Sequence, residues 1–191
     1  MNKNDKRFIK TENLIINTFK EELKHTLYDK ISVVDICDKC LISKHAFYSH
    51  FNNKNDLLIK VEGDLIDNLI NQFEKLMVED IVVNMKESQN ATYDYVRNNY
   101  DLFYSLFSQD ETINFSLFIE NRIKKYIIND AKNFSMKEML SISYMLKGDI
   151  GILKNWVLHY HCQDIDEVKK LAGELLESVH IYIRDFKIQN K

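Results

Sequence analysis

The sequence predicts an all-α fold, and three observations support this. Proline is absent from the 191 residues and glycine occurs only four times, so few residues are present that interrupt long helices. Apolar residues recur at intervals of three and four along most of the chain, which is the period of one helix face. No alternating apolar and polar run is long enough to require a β-strand. We therefore expect helices packed on helices.

The first two helices are predicted within the first 40 residues. An amphipathic helix over residues 5–25 has an apolar face that consists of Phe8, Ile15, Phe19 and Leu23. A second, short helix follows and ends near Cys40. Its start is indicated by Ser32, a good helix cap, and by Asp35, whose charge is favourable in a first turn.

A third short helix and a long fourth helix come next. Ser43 is a suitable cap for a helix that ends near His50 or Phe51. Asn53 can then cap a long helix that begins at Lys54 and extends to about residue 78. The apolar face of that helix contains Leu57, Leu58, Val61, Leu65, Ile66 and Leu69. The first part of the chain therefore has the order long, short, short, long.

The rest of the chain continues the helical pattern without a convincing internal repeat. We predict further helical segments at 89–108, 110–133, 136–160 and 164–187, with breaks at the sequences SQDE, NFS and HCQD. Many aromatic residues lie in this part, and aromatic residues at helical spacing are core residues first.

The composition of the chain indicates the cellular compartment in which we expect the protein. No run approaches the roughly 18 apolar residues of a membrane span. The amino terminus has neither the apolar segment nor the cleavage site of a secretory signal. Three cysteines are too few for a disulfide framework, and an odd number cannot all pair within one chain. We expect a cytoplasmic protein with free thiols and no membrane partner.

Charge is distributed unevenly along the chain. Residues 1–60 carry 11 Lys and Arg against 8 Asp and Glu, a net charge of +3, whereas the remaining residues carry 15 against 21, or −6. A positive segment on an acidic body is typical of a protein that meets a polyanion with one end, although such small excesses also occur on ordinary solvated surfaces.

One stretch has the spacing of a zinc site. In CDKCLISKHAFYSH, Cys37, Cys40, His45 and His50 form a set of residue types that commonly binds structural zinc. A zinc knuckle usually needs glycine for its tight turn, and there is none between residues 28 and 62. The helical interpretation instead makes the two cysteines small core residues. We keep a zinc- or thiol-sensing protein that uses these four residues as an alternative hypothesis for the function.

The same stretch has the order helix, short turn, helix, in which the second helix can enter a DNA major groove. ISVVDICDKCLISKHAFYSHFNNKNDLL, residues 31–58, resembles the helix-turn-helix of TetR/AcrR-type transcriptional repressors. The matching positions are Ser32, Val33, Ile36, Ile42, Ser43, Phe47, Tyr48, His50, Phe51, Lys54 and Leu57. A later stretch, LKGDIGILKNWV, resembles the penultimate helix of a Firmicute-type regulatory domain.

The sequence departs from the family pattern at several positions. Leu41 and Leu27 stand where the family usually has glycine, and Cys37 and Cys40 where it usually has alanine. Ala46 replaces a Thr or Ser and removes one hydroxyl that could contact DNA. A residue other than glycine at position 41 is strained if the turn requires a positive φ.

The resemblance implies an amino-terminal DNA-binding domain, residues 1–55, and a regulatory and dimerisation domain, residues 56–191. It implies phosphate contacts from Ser32, Tyr48, His50 and Lys54, and base contacts from Lys44, His45 and Ala46. Ser43, which caps the recognition helix, completes the predicted DNA-binding set. The partner would be double-stranded operator DNA.

One such module reads few base pairs, so a two-fold dimer is expected. The last two long helices supply the predicted interface: Gly148, Gly151, Leu153, Trp156, Leu171, Leu175, Val179 and Ile183. The alternative is that the same residues close the monomer core. The resemblance also implies that a small-molecule inducer binds among the aromatic-rich helices and releases a homodimeric repressor from DNA. Some members of the family activate transcription, so the sign of regulation stays open. Phosphate-cradling glycine loops, nucleophile elbows and paired acids and bases are not evident, so neither an enzyme nor a cofactor is predicted.

Overall fold

The computed structural model describes residues 6–76, 81–130 and 135–189. Within these ranges it describes the side chains as well, except those of residues 72–86, 88, 127–130 and 179–189. In these ranges the chain is all-α, as predicted, and no strand is present. The same ranges contain no helix long and apolar enough to cross a membrane.

The helices follow one another with short connections. They are α1 (Lys6–His25), α2 (Val33–Cys40), α3 (Lys44–His50), α4 (Lys54–Leu76), α5 (Ile81–Asn98), α6 (Tyr100–Ser108), α7 (Asp110–Ile113), α8 (Phe115–Asp130), α9 (Met136–Asn155) and α10 (Ile165–Gln189). A 3₁₀ turn, Tyr28–Lys30, precedes α2, and a π-helical turn, Trp156–Tyr160, follows α9. The first four helices agree with the sequence prediction, and the predicted bounds at residues 5 and 78 lie outside the described residues.

Two segments predicted as single helices are each divided in two. Asn99 separates α5 from α6, and its backbone N–H and side-chain amide both donate to the carbonyl of Tyr95. Asn114 separates α7 from α8 with φ 56° and ψ 38°. Asparagine competes for backbone hydrogen bonds and tolerates the left-handed conformation, which explains both breaks.

The predicted helix caps are present. Ser32 and Asp35 form a capping box, in which each side chain accepts a hydrogen bond from the other's backbone N–H. The Ser43 hydroxyl accepts from the Ala46 N–H at 3.1 Å. The Asn53 side chain accepts from the Asp56 N–H at 2.9 Å. Local sequence therefore defines the starts of α2, α3 and α4.

The turn between α2 and α3 contains the expected strained residue. Leu41 has φ 54° and ψ 42°, and its side chain is 92% exposed. The N–H groups of Leu41 and Ile42 donate to the carbonyls of Asp38 and Cys37, which completes a Schellman motif. Leucine thus occupies a left-handed position that glycine usually fills.

We call residues 6–55 the headpiece and residues 56–189 the body. One continuous apolar core joins them, since Phe19 and Phe47 of the headpiece belong to the same buried cluster as Val61, Phe103 and Trp156 of the body. The predicted boundary between residues 55 and 56 falls in the first turn of α4. It stays a prediction.

Candidate nucleic-acid interface

Helix α3 is held in place by its apolar side. Phe47 is fully buried, and its ring packs against Phe51 at a centroid distance of 5.9 Å. The opposite face is open, because Lys44, His45 and Tyr48 are exposed. Residues three and four apart share a helix face, so these three side chains point in one direction. Ala46 lies partly buried at the edge of that face.

The start of α2 is less open to an anion than the sequence indicates. The Ser32 hydroxyl donates to Asp35 Oδ2 at 2.6 Å, and the Ser32 N–H donates to the same oxygen at 3.1 Å. These hydrogen bonds lower the pKa of Asp35, so its carboxylate is negative at neutral pH. A DNA phosphate that approaches Ser32 would meet this charge and would have to compete for the same donors.

Lys54 is directed inward at the start of α4. Its Nζ donates to the carbonyls of Tyr28 at 2.6 Å and Ile31 at 2.7 Å, and it lies 4.1 Å from the centre of the Tyr28 ring. Burial lowers the pKa of Lys54 from its usual value. An ammonium has three donors, so one remains for a phosphate. Lys54 therefore closes the turn after α1, a role that the motif does not reveal.

His50 is also turned away from the exposed face. Its side chain is only 2% exposed, its ring lies 3.8 Å from the Phe8 ring, and Nδ1 is 3.4 Å from Glu12 Oε2. The imidazole thus packs α3 against α1. In this arrangement its side chain does not reach the surface that Lys44 and Tyr48 form.

The four candidate zinc ligands do not converge. Cys37 and Cys40 are buried in the core, and Cys40 Sγ is 3.2 Å from the Thr18 hydroxyl oxygen. Burial raises the pKa of Cys37, which disfavours the thiolate that binds metals. His45 is exposed, whereas His50 faces α1. Within the part of the chain that is described, no three His, Cys, Asp or Glu residues form a group that could hold a metal ion.

The predicted dimer residues fall into three groups. Leu153 and Trp156 are buried within the single chain. Leu171 and Leu175 are exposed on α10, while a Cβ at Gly148 or Gly151 would meet no atom within 4 Å. The side chains of Val179 and Ile183 lie outside the described residues. An open groove of about 630 Å³ between α9 and α10 is lined by Gly148, Gly151, Trp156 and Leu171, among others.

A polar contact that the sequence motifs do not reveal connects the headpiece to the body. The Tyr28 N–H donates to the side-chain carbonyl of Gln109, the residue between α6 and α7. Gln109 Nε2 donates in turn to the Ser105 carbonyl at 3.1 Å, and the Ser105 hydroxyl donates to the Leu23 carbonyl at the end of α1. The residues involved lie about 80 positions apart, so no local spacing could indicate them.

The exposed side of α3 and the turn that precedes it define a helix-turn-helix protein. No family model matches the chain. A curated relative, the HTH-type dhaKLM operon transcriptional activator DhaS of Lactococcus lactis subsp. lactis (strain IL1403), is 34% identical over 68 residues. That match covers 36% of this chain and 36% of the relative, so the chain spans about a third of the length of the curated relative that it matches.

Solved structures match over most of the chain. A TetR-family transcriptional regulator from Syntrophomonas wolfei str. Goettingen has a TM-score of 0.70 at 18% identity, with 90% of this chain and 95% of that chain covered. The fatty acid degradation regulator FadR from Bacillus halodurans has a TM-score of 0.66 at 20% identity, with 86% and 93% covered. FadR from Thermus thermophilus, a TetR-family repressor in complex with lauroyl-CoA, has a TM-score of 0.58 at 12% identity, with 86% and 92% covered. The chain has the all-α fold of TetR-family transcriptional regulators, as the sequence resemblance predicted.

Proposed function

We propose that this protein is a DNA-binding transcriptional regulator that acts as a homodimeric repressor and is released from its operator by a small molecule. The observation that carries the proposal is the exposed face of α3, where Lys44, His45 and Tyr48 point in one direction from a helix anchored by Phe47. A helix presented in this way after a short turn is suited to the major groove.

Each exposed side chain has chemistry that suits DNA. Lys44 can donate to the O6 and N7 atoms of guanine, and His45 can hydrogen-bond to a base edge. Ala46 can contact a thymine methyl, and the Tyr48 hydroxyl and the backbone near Ser43 can meet phosphates. Ser32, His50 and Lys54 already have partners inside the headpiece, so we assign them chiefly to the positioning of these elements.

Two copies are needed for a specific complex, because one recognition helix covers only a few base pairs. The groove between α9 and α10 supports this part of the proposal, since the exposed Leu171 lines it beside glycines that leave open space, and the exposed Leu175 lies one turn further along α10. Helices of a second copy could pack closely there. The small-molecule part is supported by the fold, which the lauroyl-CoA complex of the Thermus thermophilus repressor shares.

The proposal is tested by selection of DNA from a random duplex library, followed by binding measurements on the selected sequence. Lys44→Ala and His45→Ala should lower the preference for that sequence over a scrambled duplex by about tenfold or more each. Lys125→Ala is a matched control, because Lys125 is exposed on α8 and distant in sequence from the headpiece. Failure of the wild-type protein to enrich any sequence, or an equal loss in the control variant, would reject the proposal.

A further inference from the structure

Three polar side chains meet in the body between α5 and α9. Gln89 Nε2 donates to Asp149 Oδ1 at 3.1 Å, and the Tyr93 hydroxyl donates to the same oxygen at 3.2 Å. Gln89 is 5% exposed and Tyr93 is fully buried, whereas Asp149 is partly exposed. We call these three residues the acceptor cluster, because the Gln89 amide and the Tyr93 hydroxyl both donate to the same oxygen of Asp149.

The cluster has more acceptors than donors. Gln89 Oε1 is buried without a hydrogen-bond partner. Among the described residues, Asp149 Oδ2 receives no hydrogen bond and no Lys, Arg or His forms an ion pair with Asp149. A buried carbonyl of Gln89 and one oxygen of the partly exposed Asp149 therefore lie on connected side chains, and neither has a donor within the described part of the chain. Buried polar groups in folded proteins are nearly always paired, so the Gln89 carbonyl indicates a missing donor.

The missing partner can be described by its chemistry. One donor would satisfy the buried Gln89 carbonyl, a second could bond the open Asp149 oxygen, and a positive charge would offset the carboxylate. A protonated amine meets both requirements, since an ammonium has three donors and no acceptor. An anionic ligand would bring further acceptors and a repulsive charge. Asp149 is partly exposed, so the cluster lies near the surface of the body.

We propose that the acceptor cluster binds the ammonium group of a cationic amine, and that this amine is the class of ligand to which the protein responds. The inference rests on the proposed function for its regulatory meaning. The binding step itself depends only on Gln89, Tyr93 and Asp149. Burial raises the pKa of Asp149 above its usual range despite the two hydrogen bonds, and a bound cation would favour the ionised carboxylate.

The test is calorimetry on the purified full chain with three probes that share one aromatic body: 4-phenylbutylamine, 4-phenylbutyrate and 4-phenylbutanol. The amine should bind, the carboxylate should not, and Asp149→Asn should weaken the amine at least about tenfold, because it removes the charge and keeps the shape. Gln89→Met should weaken it as well. Asp101→Asn, on the exposed side of α6, is the matched control and should bind as wild type does.

Every other pattern counts against the site. An amine that fails to bind, that binds Asp149→Asn equally well, or that binds no better than 4-phenylbutyrate would overturn the inference. Circular dichroism melts of each variant verify that the helices have formed. In these outcomes a buried water molecule, and not an amine, would complete the cluster.

The two proposals are tested by separate experiments: calorimetry measures amine binding in the absence of DNA, and selection from a duplex library measures DNA binding. If the amine binds through Asp149 but the protein enriches no DNA sequence, the site stands and the proposed function fails. If the protein binds DNA specifically but 4-phenylbutylamine does not bind through Asp149, the proposed function stands and the cluster is not its ligand site. If both hold, the amine should weaken DNA binding by wild type and not by Asp149→Asn.

Discussion

The backbone N–H of Tyr28 donates to the side chain of Gln109, so a turn of the headpiece is hydrogen-bonded to the linker between α6 and α7. Gln109 is buried and also donates to the Ser105 carbonyl. This one side chain therefore satisfies a donor and an acceptor that belong to two different parts of the chain.

Gln109→Met should weaken that connection. The substitution keeps the length of the side chain but removes its carbonyl and amide, which leaves the Tyr28 N–H without its acceptor. We expect the free energy of unfolding to fall by about 1–3 kcal/mol and amide exchange at Tyr28 to become faster. Urea unfolding and hydrogen exchange measure these effects. Gln163→Met, in an exposed position, should change neither quantity, and an unchanged Tyr28 exchange rate in Gln109→Met would contradict the assignment.

Glu62 should make stability depend on pH. It is 2% exposed on α4, its Oε1 has no hydrogen-bond partner, and burial together with nearby Asp110 raises its pKa to about 8. The folded protein therefore keeps this proton over a range in which the unfolded chain, with its ordinary pKa near 4.5, has lost it. The contribution of the Glu62 proton to the free energy of unfolding is therefore fully present below pH 4.5. Between pH 4.5 and pH 8 the free energy of unfolding falls by up to about 1.4 kcal/mol per pH unit.

Glu62→Gln isolates this effect. Relative to wild type, the variant should gain about 2–4 kcal/mol of stability at pH 9 and little at pH 4.5. Denaturant unfolding across that pH range gives the difference. The exposed Glu111→Gln serves as the reference and should follow the wild-type curve. Parallel curves for wild type and Glu62→Gln would show that Glu62 is not the group responsible.

Leu41→Gly should stabilise the protein. A left-handed leucine costs roughly 1–2 kcal/mol, while glycine loses more backbone entropy on folding, so the net gain should be about 0.5–1 kcal/mol. Little packing is lost, because the side chain is almost fully exposed. Leu27, which is also an exposed leucine but has φ −59°, provides the comparison: Leu27→Gly should destabilise. Thermal melts that rank the two variants in the opposite order would refute the strain at Leu41.

Lys54 should contribute to stability, whereas Lys44 should contribute to DNA binding. Lys54→Met removes the donor to the Tyr28 and Ile31 carbonyls and should cost about 1–3 kcal/mol of stability. Lys44→Met, on the exposed face of α3, should leave stability within about 0.5 kcal/mol of wild type and should weaken DNA binding. Unfolding and DNA titration on the same preparations compare the two. Equal stability of the two variants would mean that the inward contacts of Lys54 contribute nothing.

Leu175→Asp should favour the monomer without unfolding it. Leu175 is exposed in the single chain, so a carboxylate there costs little until a second copy covers it. We expect the dissociation constant of the proposed dimer to rise at least about tenfold, as measured by analytical ultracentrifugation. Leu117→Asp, an equally exposed leucine on α8, is the control. If only Leu117→Asp dissociates the dimer, the interface lies elsewhere.

The sequence predicted local features well. The caps Ser32, Ser43 and Asn53 follow from cap chemistry, which involves residues close in sequence, and the left-handed turn at Leu41 follows from the glycine that the TetR/AcrR family usually has there. These features depend on neighbours within about one turn of helix.

Long-range features could not be predicted in the same way. His50 turns inward because Phe8 and Glu12 of α1 lie beside it, and Lys54 is directed inward by carbonyls more than 20 residues earlier in the chain. The contact between Tyr28 and Gln109 and the cluster around Asp149 likewise depend on how helices pack. A motif indicates which residue types occur together, but tertiary packing decides which side chains reach the surface.

The shared core has a spectroscopic consequence. Trp156 is the only tryptophan in the sequence, it is buried in the body, and its apolar cluster extends to Phe47 in the headpiece. Cooperative loss of such a cluster exposes all of its members together. The emission maximum of a single natural fluorophore, which also borders the groove between α9 and α10, therefore reports the integrity of the core that holds α3 without any added label.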